Sequence, residues 1–298
     1  MIGQLPGAPL ALFDGYAFDL DGTVYLGDAA LPGAVETIGR IRQAGRPVVF
    51  VTNNTLHTAE DYAGKLQGLG VETTSADIVT ATDALVSYLK TTSPHGSLLV
   101  LGETPLLRTL SAAGFALTTD AAVADVVVVS FDRTFDYAKL LAAYRAVRLH
   151  GARLVATNSD PYCPTPDGGL PDCAAMLAAV QACTGSVAEA VVGKPSRHMA
   201  AALLDRLGVA AAGAVMVGDR LSSDMVMARN AGMTGVLVLT GATSPTDLAA
   251  AEPSRLPDYV IETLPELLLG APTRPGTDPS FNPTETAAAR ETRNLERA

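Results

Sequence analysis

Short apolar segments alternate along the chain with segments of helical periodicity. Eight runs are nearly continuously hydrophobic, which is typical of strands in a sheet that is buried on both faces. They span residues 16–20, 47–52, 97–101, 126–130, 154–157, 188–192, 215–218 and 236–239. Helical patterns lie between them, at 34–44, 59–69, 104–113, 137–149, 173–183, 197–207 and 224–231. Glycines near the ends of six of these patterns favour helix C-caps. The alternation predicts an α/β fold with parallel strands.

The length of 298 residues leaves room for two domains or one large domain. A composition that is 48% hydrophobic and 17% charged excludes a mainly disordered chain. The net charge is −10 and the basic residues are scattered, so neither nucleic acid nor an anionic membrane is an expected partner. No apolar run approaches the roughly 20 residues of a membrane span, and the first residues lack the pattern of a secretory signal. A cytoplasmic protein is therefore predicted.

The cysteines and the C-terminal segment add two further predictions. The three cysteines, Cys163, Cys173 and Cys183, are odd in number and never form a C-x-x-C pair, so we interpret them as reduced thiols. They either line a pocket or are small buried side chains. The segment 271–298 is rich in Pro, Thr, Ser, Glu and Arg and has no apolar periodicity, which predicts a disordered tail.

The first candidate catalytic pair lies at the end of the first hydrophobic run. Asp19 and Asp21 are two residues apart on an extended segment, so both side chains point the same way, and Gly22 lets the backbone turn close to a ligand. In such a pair, one carboxylate can attack phosphorus while the other protonates the leaving oxygen and later activates water. A solvated turn is the alternative.

Two further polar segments follow hydrophobic runs. Thr52, Asn53 and Asn54 follow a strand at the end where open α/β sheets bind ligands, and they could hold phosphoryl oxygens. A polar turn that caps the next helix is the alternative. Lys194 begins a helical segment and could neutralise a nucleophilic carboxylate and an incoming phosphate, or it is an ordinary surface lysine.

A fourth segment carries two more carboxylates, Asp219 and Asp224, on either side of a strand end and a helix start. Such a pair can serve a hard cation, with one carboxylate as a direct ligand and the other holding a metal-bound water. For Asp224, a helix N-cap is the alternative.

The four segments read DLDGTVYLG, VTNNT, VVGKPS and VGDRLSSD, in that order. Together they resemble the motifs of the haloacid dehalogenase-like (HAD) phosphatase superfamily, and their longer forms resemble its NagD and 4-nitrophenylphosphatase branch. The resemblance covers residues 16–269. It implies a Rossmann-like HAD core with a parallel sheet and an inserted, smaller α/β cap domain of the C2 type.

The resemblance also implies a role for each carboxylate. Asp19 matches the nucleophile that becomes aspartyl phosphate, and Asp21 matches the general acid/base, whose backbone carbonyl also binds Mg²⁺. Asp219 matches the remaining side-chain metal ligand, and Asp224 matches its outer-sphere partner. The implied metal ligands are therefore Asp19, Asp21, Asp219 and Asp224, and the implied cofactor is Mg²⁺.

The remaining motif residues take substrate-binding roles by the same resemblance. The turn of Thr52, Asn53 and Asn54 matches the phosphate-binding turn, and Lys194 matches the charge-neutralising lysine. The branch often has Arg or Lys a few residues further on, where this chain offers His57. A solvated imidazole and a catalytic one both remain open for that residue.

The 141 residues between Thr52 and Lys194 are too many for a simple crossover. We expect the cap at residues 84–186 and a discontinuous core at 1–83 and 187–270. Within the cap, Asn158, Asp160 and Asp172 match the branch's substrate-facing loop and helix start. A small residue commonly occupies the position of Asp172, so its carboxylate would disfavour a second anionic group on the substrate. The alternative is that Asp172 only caps the helix that begins at Cys173.

The motifs and the resemblance together predict a Mg²⁺-dependent phosphatase that hydrolyses small phosphomonoesters. Sugar or polyol phosphates are the leading candidate substrates. Nucleoside monophosphates and pyridoxal phosphate are the alternative substrates, and a phosphometabolite-binding sensor is the non-enzymatic alternative. The presence of both Asp19 and Asp21 speaks against a sensor, and no G-x-G-x-x-G follows the first strand, which disfavours a dinucleotide-binding protein. Because cap domains of the branch commonly mediate dimers, the resemblance implies a homodimer.

Overall fold

The computed structural model describes residues 9, 11–165 and 168–270. The predicted tail at 271–298 lies outside the described residues. The strands are β1 (Gly15–Asp19), β2 (Tyr25–Leu26), β3 (Ala29–Ala30), β4 (Val48–Thr52), β5 (Ile78–Thr80), β6 (Ser97–Leu101), β7 (Ala116–Leu117), β8 (Val126–Val129), β9 (Arg153–Ala156), β10 (Tyr162–Thr165), β11 (Gly168–Pro171), β12 (Ala190–Val191), β13 (Ala214–Gly218), β14 (Thr234–Val238) and β15 (Tyr259–Ile261). The α-helices are α1 (Ala34–Gln43), α2 (Ala59–Gly68), α3 (Ala81–Thr92), α4 (Thr104–Ala112), α5 (Tyr137–His150), α6 (Cys173–Thr184), α7 (Arg197–Leu207), α8 (Val226–Ala231) and α9 (Pro245–Ala249).

The larger sheet has six strands in the order β15-β14-β13-β1-β4-β5, and all its pairings are parallel. Because side chains alternate along a strand, Tyr16 and Phe18 of β1 pack into one hydrophobic cluster and Ala17 packs into another. Helices α1 and α2 cover the first face, and α3, α7 and α8 cover the second. Both faces of the sheet are therefore buried, which explains why its strands read as continuous apolar runs.

The second sheet has five parallel strands in the order β12-β9-β8-β6-β7. Helices α5 and α6 cover one of its faces. Apolar residues of its other face, among them Leu98 and Val126, share a hydrophobic cluster with Ala17 and Val49 of the first sheet. The predicted α/β class is confirmed, and the two sheets are joined by a common core.

Two observations differ from the predicted domain limits. Residue 84 lies inside α3 rather than in a linker, because Thr80 and Asp83 form a capping box that starts this helix and Leu85 anchors it in the core. Strand β12, which was expected in the core, pairs with β9 of the second sheet. The second sheet therefore extends past residue 186.

The parallel arrangement brings the predicted motifs to one edge. Strands β1, β4 and β13 are neighbours and end at Asp19, Thr52 and Gly218, so the loops that follow them lie side by side. The antiparallel hairpin of β10 and β11 reaches the same region from the second sheet. Among the described residues, no helix is both long and apolar enough to cross a membrane.

Candidate active site

Three buried carboxylates and one buried lysine form the centre of the site. Asp19 ends β1, Asp219 follows β13, and Asp224 lies in the π-helical turn Leu221–Met225. Their carboxylate oxygens lie within 4.8 Å of one another. The ammonium nitrogen of Lys194 lies 2.5 Å from Asp19 Oδ1 and 2.7 Å from Asp224 Oδ1. The turns after these strand segments thus place opposite charges in direct contact.

The lysine is charged despite its burial. Burial lowers the pKa of Lys194, but Asp19 and Asp224 together raise it above its ordinary value. A buried charge is costly unless it is paired and hydrogen-bonded, and here both conditions are met. Asp224 is fully buried and also accepts from the backbone N–H of Arg220, so it is not the N-cap of α8.

Asp219 is held by a close backbone cradle. Its Oδ2 accepts from the backbone N–H of Ala242 at 2.6 Å. A Cβ atom on Gly22, which has φ +85°, would lie 2.5 Å from that oxygen, and one on Gly241 would overlap it. Both glycines therefore allow the turn to approach the carboxylate.

The other oxygen of Asp219 points to a cation site. Oδ1 is buried and has no hydrogen-bond partner among the described residues. Burial, with the nearby Asp19 and Asp224, raises the pKa of Asp219 well above its usual range. Clustered carboxylate oxygens are the ligands that hard divalent cations prefer, and an unpartnered buried oxygen is costly without one. The residues present therefore fit Mg²⁺.

Asp21 has the environment of an acid/base group. Its carboxylate lines the cleft and accepts from the hydroxyl of Tyr25 at 3.4 Å. Burial, reinforced by the charge of Asp19, raises the pKa of Asp21 to about 6. A carboxyl group with a pKa near neutrality can both give and take a proton.

The turn after β4 places its polar groups in two directions. Thr52 Oγ1 accepts from the backbone N–H of Asn54 at 3.1 Å, and Asn54 Oδ1 accepts from the N–H of Leu56 at 2.9 Å, so the turn is internally braced. Thr52 and Asn54 line the cleft. The carboxamide of Asn53 instead bonds the backbone of Lys194 and the side chain of Asp160.

An open cleft of about 430 Å³ lies between these motifs and the hairpin of β10 and β11. Its lining comprises Asp19, Asp21, Thr52, Asn53, Asn54, Asp160, Tyr162, Cys163, Asp172, Lys194, Arg220 and Ser223. The structure thus brings eight of the predicted site residues to one cleft. Asn158 is not among them: it is fully buried, donates to the carbonyl of Asn53 at 3.0 Å and accepts from the N–H of Asp160.

Asp172 both caps a helix and faces the cleft. Its carboxylate accepts from the N–H of Cys173 as the N-cap of α6, and it also lines the cleft. Burial, followed by the charge of Asp160, raises the pKa of Asp172 to about 6. Cys173 itself is fully buried and donates to the carbonyl of Val129, which agrees with its interpretation as a small buried side chain.

Arg220 and Tyr162 are cleft residues that the sequence analysis did not single out. The guanidinium carbon of Arg220 lies 5.6 Å from the centre of the Tyr162 ring, so the core contacts the β10 strand here. The sequence indicated Arg220 as a cleft residue only through its position within the VGDRLSSD motif. His57 does not line the cleft and instead packs edge-on against Tyr62.

The fold is of the α/β class, and the site pairs carboxylates at the ends of parallel strands. Together they define an enzyme that hydrolyses phosphoryl groups. Two family models match the chain: a haloacid dehalogenase-like hydrolase model over residues 16–116 and a HAD-hydrolase-like model over residues 191–267. The chain belongs to the HAD-like hydrolase family.

Individual relatives agree with this assignment. The sugar-phosphatase AraL of Bacillus subtilis is 35% identical over 255 residues, which cover 85% of this chain and 91% of AraL. The 4-nitrophenylphosphatase of Thermotoga maritima is 34% identical with a TM-score of 0.80, over 86% of this chain and 96% of that one. The glycerol phosphate phosphatase of Mycobacterium tuberculosis, solved in complex with magnesium, is 34% identical with a TM-score of 0.79, over 89% and 81%. The chain is a HAD phosphatase of the NagD and 4-nitrophenylphosphatase type.

Proposed function

We propose that the protein is a Mg²⁺-dependent phosphatase of small phosphomonoesters, with sugar or polyol phosphates as substrates. The observation that carries this proposal is the Lys194 ammonium, which lies 2.5 Å from Asp19 Oδ1 within a buried cluster of three carboxylates. One carboxylate oxygen is thereby oriented beside a fixed positive charge. This is the arrangement that phosphoryl transfer to a carboxylate requires.

In the first half-reaction, an Asp19 carboxylate oxygen attacks phosphorus and the bond from phosphorus to the ester oxygen breaks. Asp21 in its acid form gives its proton to the departing alkoxide. Lys194 balances negative charge on the phosphoryl oxygens, and the Thr52 hydroxyl with the turn at Asn54 holds these oxygens. The product alcohol leaves, and Asp19 carries an acyl phosphate.

In the second half-reaction, the Asp21 carboxylate takes a proton from water as the water oxygen attacks the same phosphorus. The bond between phosphorus and the Asp19 oxygen breaks, which releases inorganic phosphate and restores both aspartates. Asp19, Asp219 and the backbone carbonyl of Asp21 would hold the Mg²⁺, with Asp224 as its outer-sphere partner. When bound there, the ion supplies positive charge that offsets repulsion between the carboxylates and the phosphate.

The wall of the cleft beside the β10–β11 hairpin supports a polyol leaving group. Asp160 and Asp172 line this wall, and carboxylates accept hydrogen bonds from hydroxyl groups while they repel a second anion. One observation favours a nucleoside monophosphate instead: Tyr162 is 45% exposed, and its ring could stack on a base.

The test is a panel of phosphomonoesters assayed with Mg²⁺ and with EDTA, on wild type and on Asp19→Asn. Polyol and sugar phosphates are expected to be hydrolysed in the presence of Mg²⁺ but not in EDTA. Asp19→Asn is expected to be inactive on every substrate. Equal hydrolysis with EDTA would refute the metal requirement. Preference for nucleoside monophosphates would select the second substrate class.

Two other predictions remain proposals. A cytoplasmic location is supported by the three cysteines, because none of them forms a disulfide within the described residues. A homodimer remains a prediction from the resemblance. Light scattering tests it by measuring the oligomeric state of the protein in solution.

A further inference from the structure

The carboxamide of Asn53 joins three segments that are far apart in sequence. Its Oδ1 accepts from the backbone N–H of Lys194 at 2.7 Å. Its Nδ2 donates to the backbone carbonyl of Lys194 at 3.1 Å and to Asp160 Oδ2 at 2.9 Å. The polar group of this side chain is therefore engaged with the protein, although the sequence predicted it as a phosphate ligand.

The chemistry of these partners fixes the orientation of the amide. Lys194 N–H can only donate, so it requires the oxygen of Asn53, while the Lys194 carbonyl and the Asp160 carboxylate can only accept, so they require the nitrogen. The three bonds are satisfied together in one orientation. An aspartate at position 53 would keep the first bond and place an oxygen against two acceptors.

Gly193 allows this close packing. A Cβ atom on Gly193 would lie 2.5 Å from Asn53 Oδ1 and 2.5 Å from the carbonyl oxygen of Thr157. The N–H of Gly193 donates to that same carbonyl at 2.7 Å. The glycine of the VVGKPS segment thus brings the Lys194 backbone within reach of the Asn53 amide.

Both partners of Asn53, Asp160 and Lys194, belong to the cleft. Asp160 lines the cleft from the loop before β10, and the Lys194 side chain bonds Asp19. We infer that Asn53 is a positioning residue that couples the substrate-facing loop at Asp160 to the lysine that holds Asp19. This inference rests on the proposed function for the roles of Lys194 and Asp19. Asn53 acts through the backbone of Lys194 and through Asp160, not by donating its amide to phosphate.

The experiment exchanges donor and acceptor between positions 53 and 160. Asn53→Asp nearly preserves shape but replaces the donor with an acceptor, and we expect kcat per folded molecule to fall about 10- to 100-fold with a smaller change in KM. In the double variant Asn53→Asp with Asp160→Asn, the introduced amide can donate to the introduced carboxylate. We expect the loss of kcat caused by Asn53→Asp to be at least about fivefold smaller when it is measured in the Asp160→Asn variant than when it is measured in wild type.

Asp172→Asn is the matched control for this rescue. It removes the same charge from the same wall of the cleft, but within the described part of the chain no hydrogen bond joins Asp172 to Asn53. Asp172→Asn is expected to leave the effect of Asn53→Asp unchanged. If it rescues as well as Asp160→Asn does, net charge explains the result and the inference fails.

Two more outcomes are decisive. Additive effects of the changes at 53 and 160 on kcat overturn the coupling, and a change confined to the melting temperature shows a structural role only and also overturns it. If Asn53→Asp does not fold, the cycle of Asn53→Ala with Asp160→Ala replaces it. If wild type lacks Mg²⁺-dependent phosphatase activity, the proposed function fails, and the same cycle measured by thermal unfolding decides whether the two side chains are coupled.

Discussion

Lys194 Nζ lies 2.5 Å from Oδ1 of Asp19, although the two residues are 175 positions apart in the chain. The contact leaves the second carboxylate oxygen of Asp19 without this partner, in a group that lines the cleft. A nucleophile held on one side by a fixed cation needs little reorganisation to attack. The consequences of this pairing can be measured.

The first prediction concerns Asp19 itself. The change Asp19→Asn is nearly isosteric and leaves Asp224 as a partner for Lys194. We expect turnover and phosphoenzyme trapping to be abolished, because the amide is not a nucleophile, while the melting temperature changes little. Stopped-flow phosphate release and acid-quench trapping measure the two activities.

If Asp19→Asn retains wild-type turnover, the assignment of the nucleophile is wrong. The matched comparison is Asp21→Asn, which removes the neighbouring carboxyl but leaves the nucleophile in place. That variant is expected to slow both half-reactions by about 10²–10⁴-fold, because a proton-transfer group is lost. Asp14→Asn, a change at an exposed carboxylate paired with Arg46, serves as the surface control.

The second prediction concerns the cation site at Asp219. We expect saturating Mg²⁺ to raise the melting temperature of wild type, because a ligand at 100 times its dissociation constant stabilises the folded state by about 2.7 kcal/mol. Asp219→Asn is expected to lose this Mg²⁺ response. In EDTA the variant should be at least as stable as wild type, since it removes a buried carboxylate with an unpartnered oxygen.

Thermal unfolding with a Mg²⁺ titration measures both effects without reference to activity. Gly241→Ala provides a second variant at the same site, because its Cβ atom would overlap Asp219 Oδ2. It is expected to weaken the Mg²⁺ response without removing any ligand. An undiminished Mg²⁺ response in Asp219→Asn would place the cation elsewhere.

Much of the fold was predictable because its central strands are buried on both faces. Strand β6 has the predicted bounds, and the other long strands begin or end within two residues of the predicted runs. Strands of two or three residues, such as β5 and β7, are too short to show a pattern. Helix α3 was missed although Thr80 and Asp83 carry a capping-box signal and its buried apolar residues recur at helical spacing.

The site was predictable where its residues follow strands directly. Asp19 and Thr52 end neighbouring parallel strands, so the sequence order of the motifs was enough to place them together. The contact between Arg220 and Tyr162 was not predictable, because it joins a core turn to the β10–β11 hairpin. The engagement of Asn53 by Lys194 and Asp160 likewise depends on how the two sheets meet.

The third prediction is a pH dependence of stability that arises from Asp172. Its ordinary pKa is 3.8, and burial, followed by the charge of Asp160, raises the pKa in the folded state to about 6. Below about pH 4 the carboxyl is protonated in both states. As the pH rises from about 4 to 6, the unfolded chain ionises first, so the folded state loses stability relative to it.

Asp172→Asn removes this ionisation and keeps a side chain that can cap α6. We expect the variant to be more stable than wild type above pH 6, by up to roughly 2–3 kcal/mol, and the difference to vanish below pH 4. Chemical denaturation at pH 4 and pH 7.5 measures it. Asp136→Asn, at the exposed N-cap of α5, is the control. A pH-independent difference at position 172 would contradict the prediction.

The last prediction uses the same variant to test substrate choice. The Asp172 carboxylate lines the cleft, so its charge opposes a substrate that carries a second anionic group. We expect Asp172→Asn to raise kcat/KM for phosphomonoesters with an added carboxylate or phosphate by about tenfold relative to glycerol phosphate, because one unfavourable charge contact is removed. Asp172→Gly, which also removes the cap, should shift the ratio in the same direction. If the ratio of the two kcat/KM values is unchanged in both variants, Asp172 acts only as a helix cap.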